Sequence, residues 1–180
     1  MILLLITIGY GAHAIAGQSE DGTLGAVLTL PVTRRSVLEQ KVTALVLLAF
    51  PSAALVVAGV AFGRVFGLTL GYGGLLAITA GSLLLALDFG LLAMLLGTVA
   101  GSRAVALGVT SGLALAAYVL SALAPVVSWL RPARYASLFF YATGSGQLDT
   151  PRPGHLAVLA AVGVVAGILT AVAFDRMDVP

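Results

Sequence analysis

Residues 71–100 read GYGGLLAITAGSLLLALDFGLLAMLLGTVA and carry one charged side chain, Asp88. An α-helix rises about 1.5 Å per residue, so about 20 apolar residues cross the hydrocarbon core of a bilayer. This stretch can cross with room to tilt or break. Its apolar residues run all round the helix rather than along one stripe, which suits burial in lipid and not a one-sided soluble helix. The fold class follows from it: an all-α, polytopic membrane bundle.

The rest of the chain repeats the pattern. Further apolar segments lie at 1–17, about 42–62, about 104–128 and about 155–174, giving five candidate spans in a single transmembrane domain, 1–180. The connections are 18–41, a Gly-rich turn at 63–70, a tight turn at 101–103 and a longer stretch, 129–154. Composition agrees, since 60% of the 180 residues are hydrophobic and 9% charged. A soluble domain holds about 25% charged residues, so there is too little polar surface here to coat one. Mean hydropathy is +1.11. The nine Lys and Arg are scattered, which excludes a nucleic-acid surface. With no cysteine, disulfides and thiolate chemistry are excluded as well.

Five spans put the two termini on opposite faces. One face then collects Arg34, Arg35, Lys41, Arg103 and Arg176, the other Arg64, Arg131, Arg134 and Arg152. The small excess places 18–41 and the C-terminus in the cytoplasm. Ala14-Ile15-Ala16 looks like a signal-peptide cleavage site, but no Lys or Arg precedes the apolar run as that signature requires. Met1 begins inside the first apolar segment, as though a preceding part were missing.

Charge is concentrated in residues 20–41, EDGTLGAVLTLPVTRRSVLEQK, which hold six of the sixteen charged residues: Glu20, Asp21, Arg34, Arg35, Glu39 and Lys41. Pro31 divides the stretch, because it cannot donate a backbone N–H and disfavours helix at the residue before it. In the first piece Leu24, Val27, Leu28 and Leu30 give a short helix an apolar side to rest on the membrane boundary. The second piece starts after Thr33, a good N-cap, with Arg34 and Arg35 at the first two helical positions. Cations there oppose the helix dipole by roughly 0.3–1 kcal/mol each. Something outside that helix, such as anionic headgroups or an acidic protein surface, is expected to hold them; the plainer alternative is two arginines flanking a span.

These residues carry a resemblance. Glu20, Gly22-Thr23-Leu24, Leu30-Pro31-Val32, Arg34-Arg35 and Lys41 resemble the E-x-G-T-L…P-V-[ST]-R…K signature of ABC-2-type transporter permeases. The closing Phe174-Asp175-Arg176-Met177-Asp178-Val179 is similar to that family's F-x-R-R-D-[ILV] tail, with Met177 in place of one arginine, and Phe139-Phe140-Tyr141 resembles its last external loop. The resemblance covers the C-terminal five of the family's usual six spans, so its N-terminal interfacial helix and first span are absent from the match. It implies a plasma-membrane exporter subunit, with 18–41 as a short amphipathic coupling element touching a separate ATPase subunit that binds the ATP. A second permease subunit would complete the path. Glu20, Gly22, Thr23, Leu24, Pro31, Arg34, Arg35 and Lys41 are then the coupling residues.

The chain itself has no phosphate-cradling G-x-x-x-x-G-K-[ST], because its only lysine, Lys41, follows Gln40. No cofactor, metal set or enzymatic constellation is expected; His13 and His155 lie far apart, and Gly144-Ser145-Gly146 reads as loop. Asp88 is the exception among the spans. A carboxylate near the bilayer centre costs about 2.5–3.5 kcal/mol on insertion scales, so it should face protein or water. It is either a buried structural group or the proton site of a secondary transporter, a competing function; a non-transporting remnant is another. Glycine spacings at Gly9/His13/Gly17, Gly97/Gly101, Gly108/Gly112 and Gly163/Gly167 suggest close helix contacts. In 129–154, Trp129, Tyr135 and Tyr141 beside Arg131 and Arg134 suit the headgroup region, with a short interfacial helix over 133–141 as an anchored loop or an external lid.

Overall fold

The computed structural model describes residues 2–29, 31, 33–66, 71–143 and 153–177, and these form helices with no strand among them. In chain order the helices are α1 (Ile2–Glu20), α2 (Thr23–Leu28), α3 (Arg34–Val65), α4 (Tyr72–Ala100), α5 (Arg103–Leu123), α6 (Leu138–Thr143) and α7 (Pro153–Asp175). All but α2 and α6 are long and apolar enough to cross a membrane. The all-α polytopic bundle expected from the sequence is therefore the fold.

Several boundaries lie away from the expected ones. Helix α1 continues through a π-helical turn, His13–Gly17, and reaches Glu20 instead of stopping at 17. Gly17 permits this, because a Cβ there would sit 2.2 Å from the His13 ring nitrogen Nδ1. Helix α3 begins at Arg34, where Thr33 suggested, but residues 34–41 are continuous with the span expected from 42 and form its first two turns. Helix α5 ends at Leu123, short of 128, since Pro125 has no N–H to continue it. The helix expected over 133–141 is two pieces, a 3-10 turn at Pro132–Ala136 and then α6. Ser137 breaks it with extended backbone and an Oγ that donates 2.7 Å to the Ala117 carbonyl of α5. Gly144-Ser145-Gly146 and Asp178-Val179 fall outside the described residues.

Helix α4 is the hub. In its apolar window 56% is buried against protein, compared with 17–18% for α3, α5 and α7, and it touches all four other spans. Close approach is possible because backbones meet. A Cβ at Gly11 of α1 would lie 2.1 Å from the Gly90 carbonyl oxygen of α4, and one at Gly81 would lie 2.7 Å from the Ala142 carbonyl of α6. Of the spacings singled out in the sequence, Gly97 lies against the Ala16 and Ala106 side chains and Gly163 against that of Asp88, whereas Gly9, Gly101, Gly108, Gly112 and Gly167 face open space.

Apolar packing separates into two clusters. Leu4, Ile8, Leu85, Phe89, Phe139 and Leu159 belong to one. Ile15, Leu24, Leu38, Leu45, Met94 and Phe174 belong to the other, which lies beneath the charged residues. Lipid tails are as apolar as these side chains, so the clusters hold the helices together by van der Waals packing and not by removal from water.

Candidate functional site at the charged end of the bundle

The end of α1, the start of α3, the start of α5 and the end of α7 meet at one end of the bundle, and residues 18–41 link the first two. Local chemistry shapes that link. Asp21 and Gly22 close the end of α1, their N–H groups donating to the Gly17 and Ser19 carbonyls at 2.9 and 3.1 Å. Gly22 then turns with φ 70°, a left-handed conformation that costs other residues energy. Thr23 opens α2 and its Oγ1 donates 3.1 Å back to the Gln18 carbonyl. Leu24 is wholly buried in the cluster with Ile15, Val37 and Phe174. It is therefore packed within protein, where the sequence placed it on the membrane boundary; Val27 stays partly exposed and Pro31 exposed. Leu30 and Val32 lie outside the described residues.

Thr33 caps α3 as its sequence suggests, with its Oγ1 accepting the Ser36 N–H at 3.2 Å. Arg34 and Arg35 are consequently the first two helical residues, and their fates diverge. Arg34 reaches α7, donating from Nη1 to the carbonyl oxygens of Phe174 at 3.2 Å and Met177 at 2.7 Å. Its charge thus lies at the negative end of another helix dipole, a favourable position that offsets the poor one on its own helix. Arg35 stays outside, paired through Nε with Glu39 Oε1 at 3.0 Å, both side chains largely in solvent. Such an exposed i,i+4 pair adds about 0.3–0.5 kcal/mol.

Glu20 mirrors Arg34. Its Oε1 accepts the backbone N–H of Arg103, the first residue of α5, at 2.9 Å. Ser102, at the N-cap, makes no side-chain cap of its own, and α7 has no basic residue in its last turn. Each helix end therefore borrows from residues 20–34 the charge it lacks. Lys41 is buried, donates to the Gln18 side chain and has its carbonyl bonded by Tyr10 Oη at 3.1 Å. Glu20, Arg34 and Lys41 join helices; Asp21, Arg35 and Glu39 face outward.

Sequence reasoning named the charged residues but missed their partners, which are backbone groups of Arg103, Phe174 and Met177 and the side chains of Gln18 and Tyr10. The sequence carried no signal of this, since Ser102 reads as a good N-cap for α5 and Arg176 directly follows α7. Asp88 lies apart from this end. It is buried on α4, its Oδ1 occupies the space a side chain at Gly163 of α7 would need, and its Oδ2 has no hydrogen-bond partner among the described residues. No group of three or more potential metal ligands occurs among those residues.

A family model described as ABC-2 family transporter protein matches residues 1–179. No curated protein and no solved structure matches the chain.

Proposed function

This chain belongs to the ABC-2 family of transporter proteins, as a membrane-spanning permease component, and from that premise we propose that ATP hydrolysis on a separate ATPase subunit drives it to export a substrate across the plasma membrane. Its charged end faces the cytoplasm in this reading, and a second permease subunit completes the path. The ATPase touches residues 20–41 through the outward groups, Asp21, Arg35 and Glu39. Movement there tilts α1 and α3 and switches the path from inward- to outward-facing.

One observation carries the reading. The charged segment is bonded at Glu20 to the start of α5 and at Arg34 to the end of α7, two spans that it does not connect in sequence. A push on it is therefore delivered to four spans at once. Interactions of this kind, about 0.5–3 kcal/mol each, are enough to bias a two-state bundle and weak enough to remake between states.

The test is a detergent pull-down of the ATPase encoded beside this chain, together with export by the reconstituted pair. Arg35→Glu should lose the ATPase. Arg34→Gln should keep the ATPase but lose most export, because the contact survives while its link to α7 does not. Reversing both arginines at once would merge the two effects. If wild type holds no ATPase, or Arg35→Glu exports normally, the coupling assignment is wrong.

A second reading has one observation behind it: the buried, unpartnered Asp88 Oδ2 suits a proton site in a secondary transporter. Asp88→Asn would then abolish transport with no ATPase required, whereas in the ABC reading it leaves ATP-driven export largely intact.

A further inference from the structure

At the end opposite the charged segment, the chain leaves α5, passes through two 3-10 turns and returns against α5 as α6. The fold-back encloses a cavity of about 310 Å³ lined by Tyr118, Ser121, Pro125, Arg134, Phe139 and Phe140 among others. Among the described residues Arg134 is the sole charged one lining it. The guanidinium carbon lies 4.8 Å from the Tyr135 ring centroid and 5.1 Å from that of Phe140. Nη2 donates to Tyr135 Oη at 2.8 Å, while the buried Nε has no acceptor among the described residues. Phe140 is itself held edge-on by Tyr135 and Tyr141, with centroids 5.2 and 5.4 Å away.

A guanidinium carries five N–H donors in a rigid fork and favours paired oxygens of a carboxylate or phosphate. Here two rings hold that fork, one neutral hydroxyl takes a single donor, and no carboxylate pairs with it among the described residues. A stacked arginine without an anion, in a cavity at the small end of ligand-site volumes, is a site with its polar partner still to come. The remaining walls include Ala122, Ala124, Pro125, Phe139 and Phe140. A bare inorganic anion would leave those carbon surfaces unfilled. We propose that this cavity binds the acidic head of an amphiphile, a phosphate or carboxylate group on an apolar body, clamped by Arg134 between Tyr135 and Phe140. Such a group has two sources, an anionic membrane lipid or an amphiphile that the transporter moves.

Calorimetric titration of the purified chain in a neutral maltoside detergent, without any ATPase, separates this from the coupling assignment. The probes are dioctanoylphosphatidylglycerol, dioctanoylphosphatidylcholine, 1-naphthyl phosphate and inorganic phosphate. Saturable binding of either anionic amphiphile is expected, weakened about tenfold or more in Arg134→Gln, the loss of one charge-assisted hydrogen bond. Preference for phosphatidylglycerol identifies a lipid site, and preference for naphthyl phosphate a cargo site. Ser121→Phe fills the cavity while leaving the arginine in place, so it too should abolish binding with the helical circular dichroism unchanged. Equal binding of phosphatidylcholine, tighter binding of inorganic phosphate, no saturable binding at all, or wild-type affinity in either variant overturns the proposal.

Discussion

The two ends of this bundle solve the same problem with different chemistry. At one end helix termini meet, and Glu20 and Arg34 bond their exposed backbone groups. At the other end tilted and edge-on ring contacts form two groups, Phe89 and Tyr118 around Phe139, and Tyr135 and Tyr141 around Phe140. Helix-end hydrogen bonds are directional, so a shift of an ångström or two breaks or exchanges them. Ring contacts are worth about 0.5–1.5 kcal/mol each, and here they centre on Phe139 and Phe140, each of which meets more than one ring. Under the coupling role proposed above, the contrast separates an end that would register displacement from one that would hold its place.

The largest break would come from beneath the charged end. Leu24→Ala removes a side chain with no exposed surface, and large-to-small changes of this kind cost about 2–5 kcal/mol. Thermal unfolding in detergent should show the full loss, with α2 released from the bundle. A loss under about 1 kcal/mol would mean that α2 is not anchored by its leucine.

Removing one cap should cost less. Arg34→Gln deprives the Phe174 and Met177 carbonyls of a charged donor, worth about 1.5–3 kcal/mol, and Glu20→Gln weakens one N-terminal bond, worth about 0.5–2 kcal/mol. Chemical denaturation of both variants ranks them, with Arg34→Gln the more damaging; the reverse order would make α5, not α7, the better-coupled span. Smallest of all is Arg35→Ala, which loses an exposed pair and should change stability by no more than about 0.5 kcal/mol. Measured beside the loss of ATPase binding expected of Arg35→Glu, that near-silence separates a contact residue from a structural one.

Much of this was legible beforehand. The run of apolar residues in 71–100, repeated four times at lower length, decided membrane residence and helix class, because lipid satisfies no backbone hydrogen bonds and only helices or closed barrels can cross it. Thr33 announced the start of α3, since an N-cap acts within three residues of itself. The E-x-G-T-L…P-V-[ST]-R pattern announced the family. What the sequence could not determine was where the charges go. Glu20 and Arg34 bond backbone N–H and C=O groups, which every residue carries and no residue type advertises. Which of those groups lie within reach depends on which helix ends the hub helix gathers together. The approaches of Gly11 to Gly90 and of Gly97 to Ala16 and Ala106 set that gathering, and such a fit exists only once the chain has folded.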